Sequence, residues 1–315
     1  MGQYVSRRLL TALPTLLGLS FLIFVLVSAA PGNPAEELAR RRTQEATQAD
    51  IDRARQELNL DRPLLTQYGL WLKGAVTGDL GESFSRRQPV ADIIAERLPA
   101  TIQLSAAALA LIAVLSLPLG MAAAVFHRRW PDQLLRLGAL IGASIPNFFF
   151  AYLMIIFLVT RLGLLPIAGR DGLSSVVMPA IALAVLPTAV VSRLLRSSLL
   201  EVMGEDYMRT ARSKGVGGLA TLVSHGLRNA AIPVITYLGT VLGTFLEGVV
   251  IVEFIFAWPG LGQLTSEAIF QRDYPMIQAV VLLAGTTFVV INLLVDIAYR
   301  MLDPRIRLGG ALERV

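Results

Sequence analysis

The chain has 315 residues, 54% hydrophobic and 16% charged, with a mean hydropathy of +0.61; soluble domains average about a quarter charged, so an ordinary soluble fold is excluded. The formal net charge of +5 invites a nucleic-acid partner. However, the arginines lie between apolar runs, which is the pattern of charge asymmetry across a lipid bilayer, so no nucleic acid is expected. With no cysteine and only His127 and His225, disulfides, thiol chemistry and a cysteine metal site are excluded, and a histidine metal cluster is not expected.

The first apolar run covers residues 9–30 and follows Arg7 and Arg8. Its 22 residues are long for a signal-peptide core and suit a ~30 Å span; the small residues Ser28-Ala29-Ala30 keep a cleaved signal as the competing reading. Residues 31–98 then turn polar, with 10 Lys/Arg and 11 Asp/Glu, nearly neutral and therefore translocatable. Within them 34–42 and 48–58 are predicted helical, the second from Ile51, Ala54, Arg55 and Leu58 at helical spacing. Asp61-Arg62-Pro63 and Gly78-Asp79 mark turns.

Five more apolar runs follow, at 101–126, 137–159, 176–195, 231–254 and 276–299. Each reaches or approaches the ~20 residues that a helical span needs. Pro118, Pro179, Pro187 and Pro233 interrupt them, which membrane helices tolerate when neighbours satisfy the freed carbonyls. With six spans and the N-terminus inside, the cytoplasmic segments hold 15 Lys/Arg, against Arg161, Arg170 and Arg272 in the two short external loops. The predicted fold is therefore all-α and membrane-embedded, with six spans and both termini inside. It is one membrane domain, 1–315, with a partly helical external insertion over 31–98 and a cytoplasmic loop over 201–228.

That cytoplasmic loop holds the polar stretch Gly204-Glu205-Asp206-Tyr207-Met208-Arg209-Thr210-Ala211-Arg212-Ser213-Lys214-Gly215. Asp206 reads as an N-cap, Tyr207 to Lys214 as about two helical turns, and Gly215 as a left-handed stop. So short a helix is marginal in water and takes its order from packing. By composition alone it is an ordinary connecting loop.

Its wording is more specific. "YMRTARSKG" followed by "HGLRNAAIP" resembles the EAA loop of ABC-importer permeases, in the form carried by the peptide and nickel branch. Arg209-Thr210-Ala211 stands where the general motif has Glu-Ala-Ala. Other elements resemble the same branch in the same order: "LNLDRP" and "GDLGES" in the insertion, "SIPNF" at 144–148, "EFIFAWPGLGQL" with "RDYPMIQ", and "LDPRIRL" at 302–308. Asn59 replaces the first glycine usual in that branch.

The resemblance implies that Tyr207, Met208, Arg209, Thr210, Ala211, Arg212, Ser213, Lys214 and Gly215 form a coupling helix that docks in a groove of an ATPase subunit. It implies a second homologous permease subunit, two ATPase subunits carrying ATP and Mg, an external solute-binding protein, and no cofactor in this chain. The complex would sit as a multi-pass protein in a bacterial or archaeal plasma membrane. It would import short peptides by alternating access; nickel complexes, glutathione or haem are the alternative cargoes.

Polar residues inside the runs are the remaining signal. Thr236, Gly239, Thr240, Gly243, Thr244 and Glu247 fall on one stripe of the fifth run, and Gly239 with Gly243 has GxxxG spacing. Helix packing alone explains the small residues. A carboxylate inside a span costs about 2.5–3.5 kcal/mol or more unless it faces a cavity or a partner. Glu247 is accordingly expected on the translocation path with Thr244, Thr240 and Asn147, or else in a buried hydrogen bond. Asn147 either lines the path or satisfies carbonyls freed by Pro146. Glu253, Trp258, Pro259 and Gly260 are expected at an external gate or binding-protein contact, with a plain turn as the simpler reading of Pro259-Gly260. Asp296 and Arg300, four apart, are expected to pair.

No GxxxxGK[ST], HExxH or GxSxG occurs, so the chain is not expected to be an enzyme, and any ATP chemistry belongs to another polypeptide. A proton-driven secondary transporter using Glu247 or Asp296, and an intramembrane enzyme or scaffold, are the readings from other classes.

Overall fold

The computed structural model describes residues 2–30, 32–43, 45–213 and 218–302, though not the side chains of 2–9, 211–212, 218–219, 225, 232, 243–244, 246–248, 296 and 298–302. Thirteen helices and no strand occur among the described residues, the one antiparallel contact being an isolated bridge between Glu82 and Pro89. The chain divides into two compact units, Met1–Ile102 with Ala257–Val290, and Gln103–Phe256 with Ile291–Val315.

The first unit opens with the apolar α1 (Gly2–Ser28). Asn33 then caps α2 (Pro34–Arg42), accepting from the Ala35 N–H at 3.1 Å. Glu36 and Glu37 sit in its first turn and Arg40, Arg41 and Arg42 in its last, so the charges oppose the helix dipole. A Thr47–Asp50 capping box starts α3 (Gln48–Glu57). Both helices lie where the sequence pattern puts them.

The end of α3 explains Asn59. It has φ 57° and forms a Schellman closure, in which Leu60 N–H donates to the Arg55 carbonyl at 2.9 Å. Asn is, after Gly, a residue that enters this region readily. Between the two predicted turns the structure adds α4 (Leu64–Thr77), closed by Gly78 at φ 88°. Leu65, Leu72 and Val76 fall at helical spacing within it.

The start of α5 (Val90–Val125), α12 (Leu261–Phe270) and the start of α13 (Tyr274–Leu302) share a core of Val90, Ile93, Leu264, Ala268, Met276 and Val280. Above it Asp273 gathers the unit. It caps α13, accepting from Met276 N–H at 3.4 Å, and accepts from Ser83 Oγ at 2.5 Å, Ser85 Oγ at 2.7 Å and the Phe84 and Ser85 amides at 3.2 and 3.0 Å. Its side chain is fully buried. Arg86 and Glu267 pair beside it at 2.7 Å.

The second unit is built on α8 (Leu173–Met203), which runs unbroken through Pro179 and Pro187 and packs against its neighbours α6, α7 and α11. Gly120 of α5 lets that helix meet α8 at backbone distance, since a methyl group there would stand 2.9 Å from the Ser192 carbonyl. Helices α6 (Trp130–Ser144) and α7 (Asn147–Met154, prolonged as a π-helix Ile155–Arg161) meet at a 103° bend. The predicted third span is thus a broken or re-entrant element. Pro146 has no N–H for the ladder and holds Ile145 extended, at φ −90°, ψ 122°.

Among the described residues, four helices are long and apolar enough to cross a membrane, within α1, α5, α8 and α13, and five if the bent pair is one span. The fifth predicted run falls in α11 (Leu227–Ile255), a continuous helix of 29 residues whose described stretch Leu227–Leu242 is apolar. The six predicted runs thus fall on four long apolar helices, one broken element and α11.

Asp273→Ala removes the acceptor of two hydroxyls and three amides and is expected to destabilise the protein by about 2–5 kcal/mol, read by thermal unfolding in detergent. The Arg42–Glu57 pair, at 2.6 and 2.8 Å, joins α2 to α3; its hydrogen bonds hold the Glu57 carboxyl below the usual glutamate range. A lowered carboxyl pKa contributes stability at neutral pH that is lost as pH falls below about 4. Both side chains are about half exposed, so the effect stays under ~1 kcal/mol. Amide exchange in α2 and α3, corrected for intrinsic rate, is expected to rise in that window, and less so in Glu57→Gln.

Candidate functional site

The polar stretch in the loop expected to be cytoplasmic forms α9 (Asp206–Ser213). The carbonyl of Glu205 accepts from the Met208 and Arg209 amides at 3.1 and 3.3 Å, so Glu205 is the cap and Asp206 the first helical residue. This corrects the expected capping role of Asp206, whose side chain is 97% exposed and lies 3.6 Å from Arg209 Nη1. Its charge still favours the helix start. Lys214 and Gly215, the expected last turn and stop, lie outside the described residues, as do the side chains of Ala211 and Arg212.

Among the described side chains, Met208 and Tyr207 seat this short helix. Met208 is fully buried, between Leu199 of α8 and Leu222. The floor of the socket is Gly226, where a methyl group would stand 3.5 Å from Met208 Cε and 3.6 Å from Leu199 Cδ2. Burying a methionine is worth about 1.5–3 kcal/mol, comparable with what an eight-residue helix needs to stay formed. Asn229 Nδ2 donates to Tyr207 Oη at 2.7 Å. The other face, with Arg209, Thr210 and Ser213, is open to solvent.

The socket is not regular helix. Short α10 (Gly218–Thr221) continues through a π-helical stretch, Leu222–Gly226, into α11. Such stretches widen a helix locally and recur at functional positions. A displacement of α9 would thus press on the end of α8 and on the start of α11.

A second polar cluster went unnoticed in the sequence. Asp132, 1% exposed, receives Arg196 of α8 in two parallel bonds, Nε at 2.6 Å and Nη2 at 2.7 Å, plus the Arg128 amide at 3.0 Å. His127 Nδ1 lies 3.0 Å from Arg196 Nη2. The fork geometry ties the turn between α5 and α6 to α8. Asp132 two residues into an apolar helix is an N-terminal signal; nothing in the sequence points to Arg196 as its partner.

Of the expected path residues, Asn147 is half-buried at the start of α7 and shares a cavity of about 340 Å³ with Pro146 and with Ile251 of α11. Thr240 is exposed on α11. The side chains of Thr244 and Glu247 lie outside the described residues, although both backbones are in α11. Gly239 is buried against Val295 of α13, the close approach that a small residue allows. The Asp296–Arg300 pairing also lies outside the described side chains.

The expected external surface is different from the reading. Trp258 and Glu253 are fully buried. Trp258 Nε1 donates to the Ala100 carbonyl at 2.9 Å, while Thr101 Oγ1 accepts from the Leu261 amide at 2.8 Å. These bonds anchor the entry to α12. Gly260 is buried and Pro259 half-buried. The large indole side chain is therefore used for packing, not presented outward, and Pro259-Gly260 form the non-helical turn that leads into the ten-residue α12.

A family model described as the binding-protein-dependent transport system inner membrane component matches residues 116–308, and one for the N-terminal part of such components matches 1–105. The chain is 42% identical over 307 residues to the glutathione transport system permease protein GsiC of Escherichia coli O6:H1, covering 98% of this chain and 99% of that protein. GsiC of Escherichia coli K12 and of Shigella dysenteriae serotype 1 match equally, at 42% over the same length. Among solved structures, the MetNI methionine ABC transporter in inward-facing conformations superposes with a TM-score of 0.55 at 18% identity, covering 67% of this chain and 96% of the matched one. That likeness concerns the fold.

Met208→Ala is expected to loosen α9 by about 2–4 kcal/mol, seen as faster amide exchange over 206–213. Met208→Leu keeps the volume and should stay within about 1.5 kcal/mol.

Proposed function

The chain belongs to the family of binding-protein-dependent transport system inner membrane components and is the permease of an ABC importer, and we propose that α9 is the element through which separate ATPase subunits drive it. The observation that carries this reading is a helix with two unlike faces: one socketed by Met208 into the ends of α8 and α11, the other offering Arg209, Thr210 and Ser213 to a partner. ATP and Mg would be held on two such subunits. A second homologous permease would complete the pathway, and an external binding protein would deliver solute.

The arrangement is six membrane passages, with the broken α6–α7 element counted as one and both termini inside. This follows the 15-to-3 distribution of Lys/Arg over short loops. Asn147, Thr240, Thr244 and Glu247 line the path, and the buried Trp258 and Glu253 hold the outer connection beneath the binding protein. Alternating access then consists of ATPase closure moving α9 and, through its socket, α8 against α11.

The cargo is a short peptide of the glutathione class. Identity of 42% over 98% of the chain to glutathione permeases favours this tripeptide over nickel complexes or haem. The Thr and Asn side chains of such a path can hydrogen-bond the peptide groups and carboxylates of this solute, and the Glu247 carboxylate complements its ammonium group.

The assembled complex in proteoliposomes, with ATP inside and loaded binding protein outside, should accumulate labelled glutathione or a short peptide. Arg209→Glu should cut binding-protein-stimulated ATP hydrolysis at least 10-fold, on the order of 1.4 kcal/mol of coupling or more, with the complex still assembled. Undiminished stimulation in that variant rules out α9 as the coupling element; uptake by the purified chain alone rules out the ATP-driven reading altogether.

A further inference from the structure

The insertion between the first two spans contains a helix whose surface does not match an aqueous setting. In α4, Leu65, Gly69, Leu72 and Val76 follow one another at helical spacing and form an uninterrupted apolar stripe. Leu65 is 71% and Val76 79% exposed. Thr66, Lys73 and Thr77 form a separate polar stripe, also exposed. Thr77 Oγ1 bonds back to the Lys73 carbonyl at 3.0 Å and Gln67 Nε2 to the Arg62 carbonyl at 2.8 Å, so these polar groups are served within the chain.

The third face fixes the depth. Tyr68 packs edge-on against Phe21 of α1 at 5.2 Å and Phe24 at 5.7 Å, and Trp71 lies 5.7 Å from Phe24. Tyr68 Oη hydrogen-bonds Ser20 Oγ at 2.8 Å. The apolar segment of α1, Leu10–Ser28, is 19 residues long, close to the hydrocarbon thickness at 1.5 Å per residue. Phe24 and Phe21 lie four and seven residues inward of Ser28, which is roughly 6 and 10 Å below its end. A helix held at that level is inside the acyl–headgroup boundary, where interfacial helices and Tyr and Trp side chains accumulate.

We infer that α4 lies in the membrane interface of the outer leaflet, its Leu65–Leu72–Val76 stripe against lipid acyl chains and Lys73 toward water. The stripe continues the lipid surface of α1, on which Leu13, Leu22 and Leu26 are more than half exposed. Lipid is therefore the occupant, and the insertion is moored to the bilayer through α4 as well as through the spans. The leaflet rests on the N-inside orientation proposed above; the depth does not.

The absence of cysteine makes the test direct. Spin labels are placed at Leu65→Cys and Val76→Cys in the assembled complex, built with cysteine-free partners in lipid nanodiscs. Glu45→Cys, on an exposed loop, and Leu22→Cys, on the open face of α1, serve as references. The ratio of oxygen to water-soluble nickel-chelate collision rates should be several-fold above Glu45→Cys and below Leu22→Cys. A ratio equal to that at Glu45→Cys means that α4 stands in water and overturns the inference. Exclusion of both reagents means that a protein subunit covers the stripe, and overturns it too. Photoactivatable diacyl lipid on the unmodified complex should cross-link within 63–79; no adduct there also counts against it. An impermeant maleimide reads orientation separately: unreactive Glu45→Cys in right-side-out vesicles removes the outer-leaflet assignment through topology while the depth result stands.

Discussion

A carboxylate removed from water must have its lone pairs filled, and each unit of this protein is held by one that is. An ion or polar group buried without partners costs several kcal/mol, more than most single packing contacts contribute. Asp273 meets that requirement by drawing the Ser83–Ser85 turn onto the start of α13 while capping the same helix. Asp132 meets it by taking the Arg196 fork across from α8. Both are specific where apolar helix surfaces are not, because in lipid one leucine face slides past another with little preference. The polar clusters fix register, and the spans supply thickness.

Helix α9 and its seat obey the opposite rule. Helix α9 is held by one thioether and one tyrosine–asparagine bond, contacts that are strong enough to order eight residues and weak enough to repack. Met208 reaches two helices at once through a socket floored by Gly226, beside a π-helical stretch that departs from the regular ladder. In the proposed coupling role, an element that carries force from ATPase subunits to membrane helices has to be stiff locally and adjustable at its seat, and these contacts allow both. The bend at Pro146 is another departure from the regular ladder: the helix is interrupted next to α11, and Asn147 at the break shares a cavity with Ile251.

Much of this was legible in the residues. Composition placed the chain in a membrane, and the helical spacing of Ile51, Ala54, Arg55 and Leu58 marked α3, because a helical repeat is a matter of near neighbours. Asn59 could be read as a turn residue because its side chain is compatible with positive φ. The short polar helix at 206–213 was visible for the same reason, since an acidic start and a stretch of helix formers are local facts.

Other features depend on residues far apart in the chain, where periodicity carries no information. Ser83 and Asp273 are 190 positions apart, Asp132 and Arg196 are 64 apart, and Trp258 finds the Ala100 carbonyl across 158. The sequence by itself therefore determined helix identity, membrane class and the location of the short polar helix α9, all set by local chemistry and by the hydrocarbon thickness. Tertiary structure alone decided which charges are buried, that Trp258 faces inward and that the third apolar run is bent by 103°. Each of these is settled by which distant donor or ring fills a given volume, a choice that no stretch of neighbouring residues can specify.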